Sequence, residues 1–358
     1  MKYLVTGATG HLGANLVRRL LHDGQDVRVL LQSPNGADNV AVDGLTVERV
    51  HGDIRDLDAM RAACRGVARV FHTAAKISTI AGGEREIYDI NVLGTRNVLE
   101  AARAEGVGRA VVTGSFSAVG HTPDRPSHEG DPFYPFGEHL PYAMTKAFVE
   151  QECWRAVAAG QDVVIATSCA LLGPNDFFPS RMGAVLRDFG NGKMRAYIPG
   201  GFDFVAARDI CEGHVLAMEK GKRGEKYIFS SRFMEVDDLM AIMSRVTGRP
   251  LPPLRLPPLV MTGIAHVSSF VLTRFFPSVP LRFTPFAVRY LQMRRRADTS
   301  KAQRDLGFRP TPIEDALQEA YDDFVARGEI KNPVAPARRP PPVRSRATNG
   351  HAAVHADN

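Results

Sequence analysis

The sequence predicts an α/β protein, a doubly wound parallel sheet followed by a smaller, mainly helical C-terminal region. Three observations lead there. A glycine-rich turn, Thr6-Gly7-Ala8-Thr9-Gly10-His11-Leu12-Gly13, joins the apolar run Lys2–Val5 to the helical pattern Ala14–Leu21. Five further short apolar runs then alternate with helical patterns, the rhythm of βαβ units. Finally, a serine closes the fifth run and Tyr142 and Lys146 open the next helix, both on the ligand side of such a sheet.

The first strand, turn and helix form a phosphate cradle. A buried strand that feeds a glycine turn aims free backbone N–H groups and a positive helix end at an anion. Gly7 serves the tight turn, Gly10 the close approach of backbone to phosphate, and Gly13 the packing of helix on strand. The G-x-x-G-x-x-G spacing is one residue wider than the commoner G-x-G-x-x-G fingerprint of Rossmann-type dinucleotide sites. Thr9, His11 and Leu12, between those glycines, count with them as cofactor-binding candidates. An ordinary strand–turn–helix with chance glycines is the competing reading.

The first helix closes at Asp23-Gly24. The second strand, Asp26–Leu31, ends in Gln32 where an acid would hold the adenosine ribose of NAD, and no arginine marks a 2′-phosphate site. The choice between NAD and NADP therefore stays open, and Arg28 lies within the strand. A third strand spans Leu45–Val50. Asp53-Ile54 after it can clamp an adenine, while Asp56 or Asp58 caps the helix Leu57–Cys64. The fourth strand, Val67–Phe71, runs into His72-Thr73-Ala74-Ala75, small residues where backbone must pass close to a cofactor. A helix over Ile87–Ala102 carries Asn91, read as support for the cofactor or a loop rather than as a catalyst.

The fifth strand, Arg109–Thr113, delivers Thr113-Gly114-Ser115-Phe116-Ser117; a sixth spans Val163–Ala166. Tyr142 and Lys146, i and i+4, share one face of the helix running to Arg155. Elsewhere such a pair would read as solvated surface.

Composition sets bounds. The 358 residues suffice for a large core, and 44% apolar with 23% charged residues is a globular balance without a signal peptide or long apolar span. Four scattered cysteines lack metal-ligand spacing and read as reduced thiols, so no metal is expected and the location predicted is cytoplasmic. Half of the net charge of +6 sits in the Pro/Ala/Arg tail 332–358, predicted to be disordered, and nothing points to nucleic acid.

Residues 1–170 are expected to form the dinucleotide-binding core and 171–330 a substrate region interleaved with late core elements. Between Asp238 and Asp298 there is no acid and no lysine, but nine arginines and many apolar residues broken by prolines. This stretch, about 251–296, reads as an apolar lid over a greasy substrate, its arginine rim able to rest on an anionic membrane surface. The competing reading is a small domain's own core or a dimer face. His266 reads as packed and Arg294–Arg296 as a solvated face.

TGATGHLG, GDIRD, HTAA, NVLGT, Ser115 and YAMTK, in that order, with Gly173-Pro174, Val205–Ile210 and Asp298–Phe308 downstream, resemble the extended short-chain dehydrogenase/reductase family, the NAD-dependent epimerase/dehydratase fold. The dihydroflavonol-reductase and 3β-hydroxysteroid-dehydrogenase branch is the nearer one. The resemblance implies catalysis by Ser115, Tyr142 and Lys146. It implies a dinucleotide, NAD or NADP, held by Gly7, Thr9, Gly10, His11, Leu12, Gly13, Gln32, Asp53, Ile54, Thr73, Ala74, Ala75, Asn91, Thr113, Tyr142, Lys146 and Cys169. Tyr142 would exchange a proton, its pKa lowered by the Lys146 ammonium and the nicotinamide charge, while Ser115 holds the carbonyl and Ser117 backs it. Three departures stand out: Gly114 for Ser or Thr, His11 for an aromatic, and Ser168-Cys169 for X-Pro.

The activity expected is interconversion of a ketone and a secondary alcohol on a hydrophobic aromatic, steroid-like or lipid-like molecule, by a monomer or homodimer. A nucleotide-sugar epimerase or dehydratase is the alternative, although Phe116 occupies the place beside Ser115 where a dehydratase wants a carboxylate. A non-catalytic dinucleotide sensor is the third reading.

Overall fold

The computed structural model describes residues 1–77, 83–136, 141–257, 259–260, 263 and 285–334. Most of the predicted lid, with His266, and the tail beyond Val334 lie outside them.

In chain order come β1 (Lys2–Thr6), α1 (His11–His22), β2 (Asp26–Leu31), β3 (Glu48–His51), α2 (Leu57–Cys64), β4 (Arg69–His72) and α3 (Glu84–Tyr88). A π-helical turn, Asp89–Leu93, joins α3 to α4 (Gly94–Ala104). Then follow β5 (Arg109–Ser115), α5 (Pro141–Ala158), β6 (Val163–Ser168), β7 (Ala170–Leu172), α6 (Arg181–Gly190), β8 (Ala196–Tyr197), β9 (Gly201–Ala206), α7 (Ala207–Lys220), β10 (Lys226–Phe229), β11 (Arg232–Glu235), α8 (Val236–Thr247) and β12 (Leu254–Arg255). The helices α9 (Pro285–Gln292), α10 (Ser300–Leu306) and α11 (Ile313–Ala326) complete the described chain.

Seven strands build one sheet in the order β10-β6-β5-β4-β1-β2-β3, all parallel. Every C-terminal end therefore opens on one edge, and the order reverses between β1 and β4, where a crevice forms. Alternation fixes the two faces. On β1, Leu4 joins the apolar core containing α2, α4 and α5, whereas Val5 joins that containing α1, α7 and α10. A third core gathers α6, α8 and α11 against β7 and β9, with Phe189, Met240 and Phe324 buried in it.

Local chemistry explains the boundaries. Asp56 caps α2 by accepting from the amides of Asp58 and Ala59. At the other end of α2 the buried Arg28 guanidinium donates to the carbonyls of Ala63 and Arg65 at 2.8 and 2.7 Å, so it points away from the crevice.

Some expectations need correcting. The third strand begins at Glu48 rather than Leu45, because the amides of Leu45 and Val47 are spent on local turn bonds to Val42 and Leu45. The helix expected over Ile87–Ala102 starts at Glu84 and carries the π turn at Asn91. The sheet also holds a seventh strand, β10, beside the six that the sequence predicts.

Candidate functional site

The predicted site residues lie at the C-terminal edge. The glycine turn follows β1, Gln32 follows β2, Asp53-Ile54 follow β3, Thr73–Ala75 follow β4, Ser115 ends β5 and Cys169 follows β6.

Gly7 has φ +72° and lies so close to the next crossover that a Cβ there would sit 2.5 Å from the Ala74 amide nitrogen. Only glycine meets both demands. A Cβ on Gly13 would overlap the Gly7 carbonyl, so α1 can seat on β1 only through that glycine. Gly10 differs. It is exposed, its φ is −76°, and a Cβ would meet nothing nearer than the Gly7 oxygen at 3.4 Å. The fold itself leaves the space in front of Gly10 open. Gly10 is also the N-cap of α1; it gives the helix's first N–H groups no side-chain cap, and the first turn carries no acid. An uncompensated positive helix end facing open space fits a dinucleotide pyrophosphate.

Ser115, Tyr142 and Lys146 converge beside this turn. The Ser115 hydroxyl lies 2.8 Å from that of Ser117 and hydrogen-bonds the Tyr142 phenol. Lys146 is buried, and its ammonium donates to the Thr113 carbonyl at 2.8 Å. Burial pushes the Lys146 ammonium down to about 8, opposed by Cys153 and Glu150. The expected acidic phenol is corrected here: burial pushes Tyr142 up to about 12, and only the bond to Ser115 pulls it down. Burial disfavours the charged phenolate and is the largest cause.

Gly114, the first departure, has a steric cause. A Cβ there would meet Thr167 Oγ1 at 2.7 Å and Ile165 Cγ2 at 3.0 Å, atoms of the neighbouring β6.

Two buried histidines that the sequence did not single out as site residues back the edge. Thr95 donates to the Asn91 carbonyl at 2.6 Å and so accepts from His72 Nε2, leaving His72 Nδ1 to accept from Thr6. His214 donates from Nδ1 to the Ile210 carbonyl and accepts at Nε2 from Thr113. Burial and the Lys146 charge hold His72 neutral down to about 3, and burial holds His214 neutral down to about 4. Asn91 is a loop support: its amide brackets the Lys76 backbone at 2.7 and 3.0 Å and donates to Thr145 at 3.0 Å. The sequence also passed over Glu150. It lies one turn beyond Lys146, buried, and accepts from Lys226 at 2.9 Å.

Several candidates are engaged elsewhere. The His11 ring turns inward to the carbonyls of Gly173 and Pro174 at 3.2 and 3.1 Å, tying α1 to the chain after β7. Asp53 is forked by its neighbour Arg55, at 2.6 to 3.1 Å. Ile54 is buried against Gly94, where a Cβ would lie 2.6 Å from its Cδ1. Gln32 is exposed, and the Cys169 thiol is buried and held well above its ordinary pKa by that burial. Thr73 donates to the Thr6 carbonyl at 2.7 Å. Of the expected solvated Arg294–Arg296 face, Arg294 and Arg296 are exposed, but Arg295 is buried, donates to the carbonyls of Val119 and Gly120, and lies 4.7 Å over the Phe116 ring. Arg249, Arg255 and Arg294 also find partners within the protein. Among the described residues no cluster suited to a metal occurs, and no helix is long and apolar enough to cross a membrane.

The model of the NAD dependent epimerase/dehydratase family matches residues 3–229. The chain belongs to that family. Within the family it resembles "Sterol demethylase protein B" of Methylococcus capsulatus, 43% identical over 92% of this chain and 100% of the relative. A "2-alkyl-3-oxoalkanoate reductase" of Stenotrophomonas maltophilia is 30% identical over 89% of this chain and 98% of that one. The crystal structure of gox2253 superposes with a TM-score of 0.80 at 30% identity, covering 92% and 99% of the two chains. Dihydroflavonol-reductase-like and 3β-hydroxysteroid-dehydrogenase relatives accompany these. The family member described here is therefore an NAD(P)-dependent enzyme of the extended short-chain dehydrogenase/reductase type, acting on CH–OH groups.

Proposed function

We propose that the protein interconverts a ketone and a secondary alcohol on an apolar, steroid-like or lipid-like molecule. One observation carries the reading: a Ser115–Tyr142 hydroxyl pair beside the buried Lys146 ammonium, on the same sheet edge as an open phosphate cradle. The bound dinucleotide supplies or accepts the hydride. Ser115 orients the carbonyl oxygen. Tyr142, a phenol held protonated by burial, gives its proton as charge develops there, and Lys146 stabilises the phenolate that remains.

Apolar chemistry is supported by the names of two relatives, one a sterol protein and one a reductase of alkylated 3-oxo acids. It is supported too by exposed Leu251, Leu254, Leu259 and Val260 where the chain enters the predicted lid. Phe116, buried under Arg295, stands where a dehydratase needs a carboxylate.

The test follows NADH and NADPH absorbance with steroidal, aromatic and long-chain ketones, and with UDP- and dTDP-sugars as the competing panel. Ketone turnover is expected. Tyr142→Phe should lower it by about 10²–10⁴-fold with dinucleotide binding retained. Turnover of sugar nucleotides alone ends the proposal.

A further inference from the structure

We propose that Glu150 and Lys226 are positioning residues that keep the Lys146 side chain charged, through a ladder of buried groups along one face of α5. This rests on the role given to Lys146 above. Tyr142, Lys146 and Glu150 stand at i, i+4 and i+8, so they stack on one helix face. Lys146 is 4% exposed, Glu150 4% and Lys226 7%. One Glu150 oxygen accepts from Lys226 Nζ at 2.9 Å, while the other, Oε1, is buried with no hydrogen-bond partner.

An orphaned carboxylate oxygen is costly in a dry interior unless a cation shares its field. Lys146, one turn away, is that second cation. The groups around Lys146 decide which anion matters. From β5 it meets only the neutral Thr113 carbonyl, and His72 on β4 and His214 on α7 are neutral. On α5 it faces the Tyr142 phenol, the Cys153 thiol and Glu150. Burial holds the Tyr142 and Cys153 protons on well beyond neutral pH. Among the described residues, Glu150 is the carboxyl group that acts on Lys146. Burial raises its pKa, and the Lys226 ammonium at 2.9 Å, with Lys146 behind it, opposes that rise. On its other side Lys226 belongs to the sheet edge, where Lys301 donates to the Lys226 carbonyl at 2.8 Å and to Glu225 at 2.6 Å. Glu225 is thus already occupied by Lys301.

The experiment measures the Lys146 titration in two independent ways. One is the basic limb of kcat/KM against pH. The other is stability: because the Lys146 pKa in the folded chain lies below its unfolded value, stability gains from this residue as pH rises from about 8 towards 10.5. The onset of that gain is read as the difference in Tm between the parent and its Lys146→Met derivative. In Glu150→Gln both midpoints should fall by about one pH unit, and Glu150→Asp, which keeps the charge, should restore most of the shift. Should the single variant not fold, Glu150→Gln with Lys226→Met removes both buried charges together. Its midpoint should still fall, by less, because the lost carboxylate was nearer to Lys146 than the lost ammonium. Midpoints unmoved in the neutral variants overturn the inference and leave Glu150 a structural ion pair. The stability arm needs no substrate, so a failure of the proposed reaction leaves this test intact.

Discussion

The glycine turn after β1 and the buried face of α5 sit at the same edge of one sheet, yet they are built on opposite principles. The turn works through backbone alone. Its specificity lies in what is missing: a Cβ at Gly7, a Cβ at Gly13, a cap on α1. The α5 face works through side chains taken out of water, where burial pushes Tyr142 up and Lys146 down and keeps both histidines uncharged. Steric exclusion is absolute and local, whereas a shifted pKa is a balance among groups from several elements. The first tolerates no Cβ at Gly7 or Gly13; the second should respond in proportion to charge and pH.

Substitutions can break or sharpen that contrast. The largest effect is expected at Gly13→Ala, whose methyl would overlap the Gly7 carbonyl. Loss of more than about 4 kcal/mol should leave no cooperatively folded protein in a denaturant titration, and a normal unfolding midpoint would refute the packing argument. Next is acid stability. His72 and His214 have folded pKa values depressed to about 3 and 4, so the stability they contribute is fully present above the unfolded value near 6.5 and is lost as pH falls through the folded ones. Between pH 6 and 4 each should remove about 1.4 kcal/mol per pH unit. His72→Asn should flatten that slope by one proton, measured by urea unfolding at each pH.

A smaller effect of opposite sign concerns Lys146. Its burial penalty is fully felt below pH 8 and relieved towards 10.5, so Lys146→Met should be the more stable chain at pH 7, the advantage shrinking above pH 8. Taking the difference between the two chains cancels the buried cysteines, whose raised pKa values act the other way above pH 9. Smallest of all in stability is Gly10→Ala, within about 0.5 kcal/mol, since the fold leaves that Cβ room. Its dinucleotide affinity should nonetheless drop at least tenfold by fluorescence titration. Unchanged affinity would show that the open space before Gly10 is not where the pyrophosphate lies.

Much of the dinucleotide half was legible beforehand. Strand β2 and helix α2 fall where apolar runs and caps put them, and the three glycines divide their roles between turn, packing and open approach. Ser115, Tyr142 and Lys146 were placed together because their spacing put them on one ligand-facing edge. What failed was electrostatic: the phenol made acidic by its lysine and the solvated Arg295. Each depends on how far the side chain is withdrawn from water and on which distant backbone meets it.

The alternation of strands and helices, the glycine-rich turn and the shared helix face of Tyr142 and Lys146 were set by the sequence itself, because period, glycine spacing and a four-residue interval are local properties of the chain. Only the folded molecule decided the charges. Glu150 and Lys226 are 76 residues apart, and the Gly114 site is closed by Thr167 on another strand. Burial is a property of everything packed around a group, and no interval along the chain encodes it.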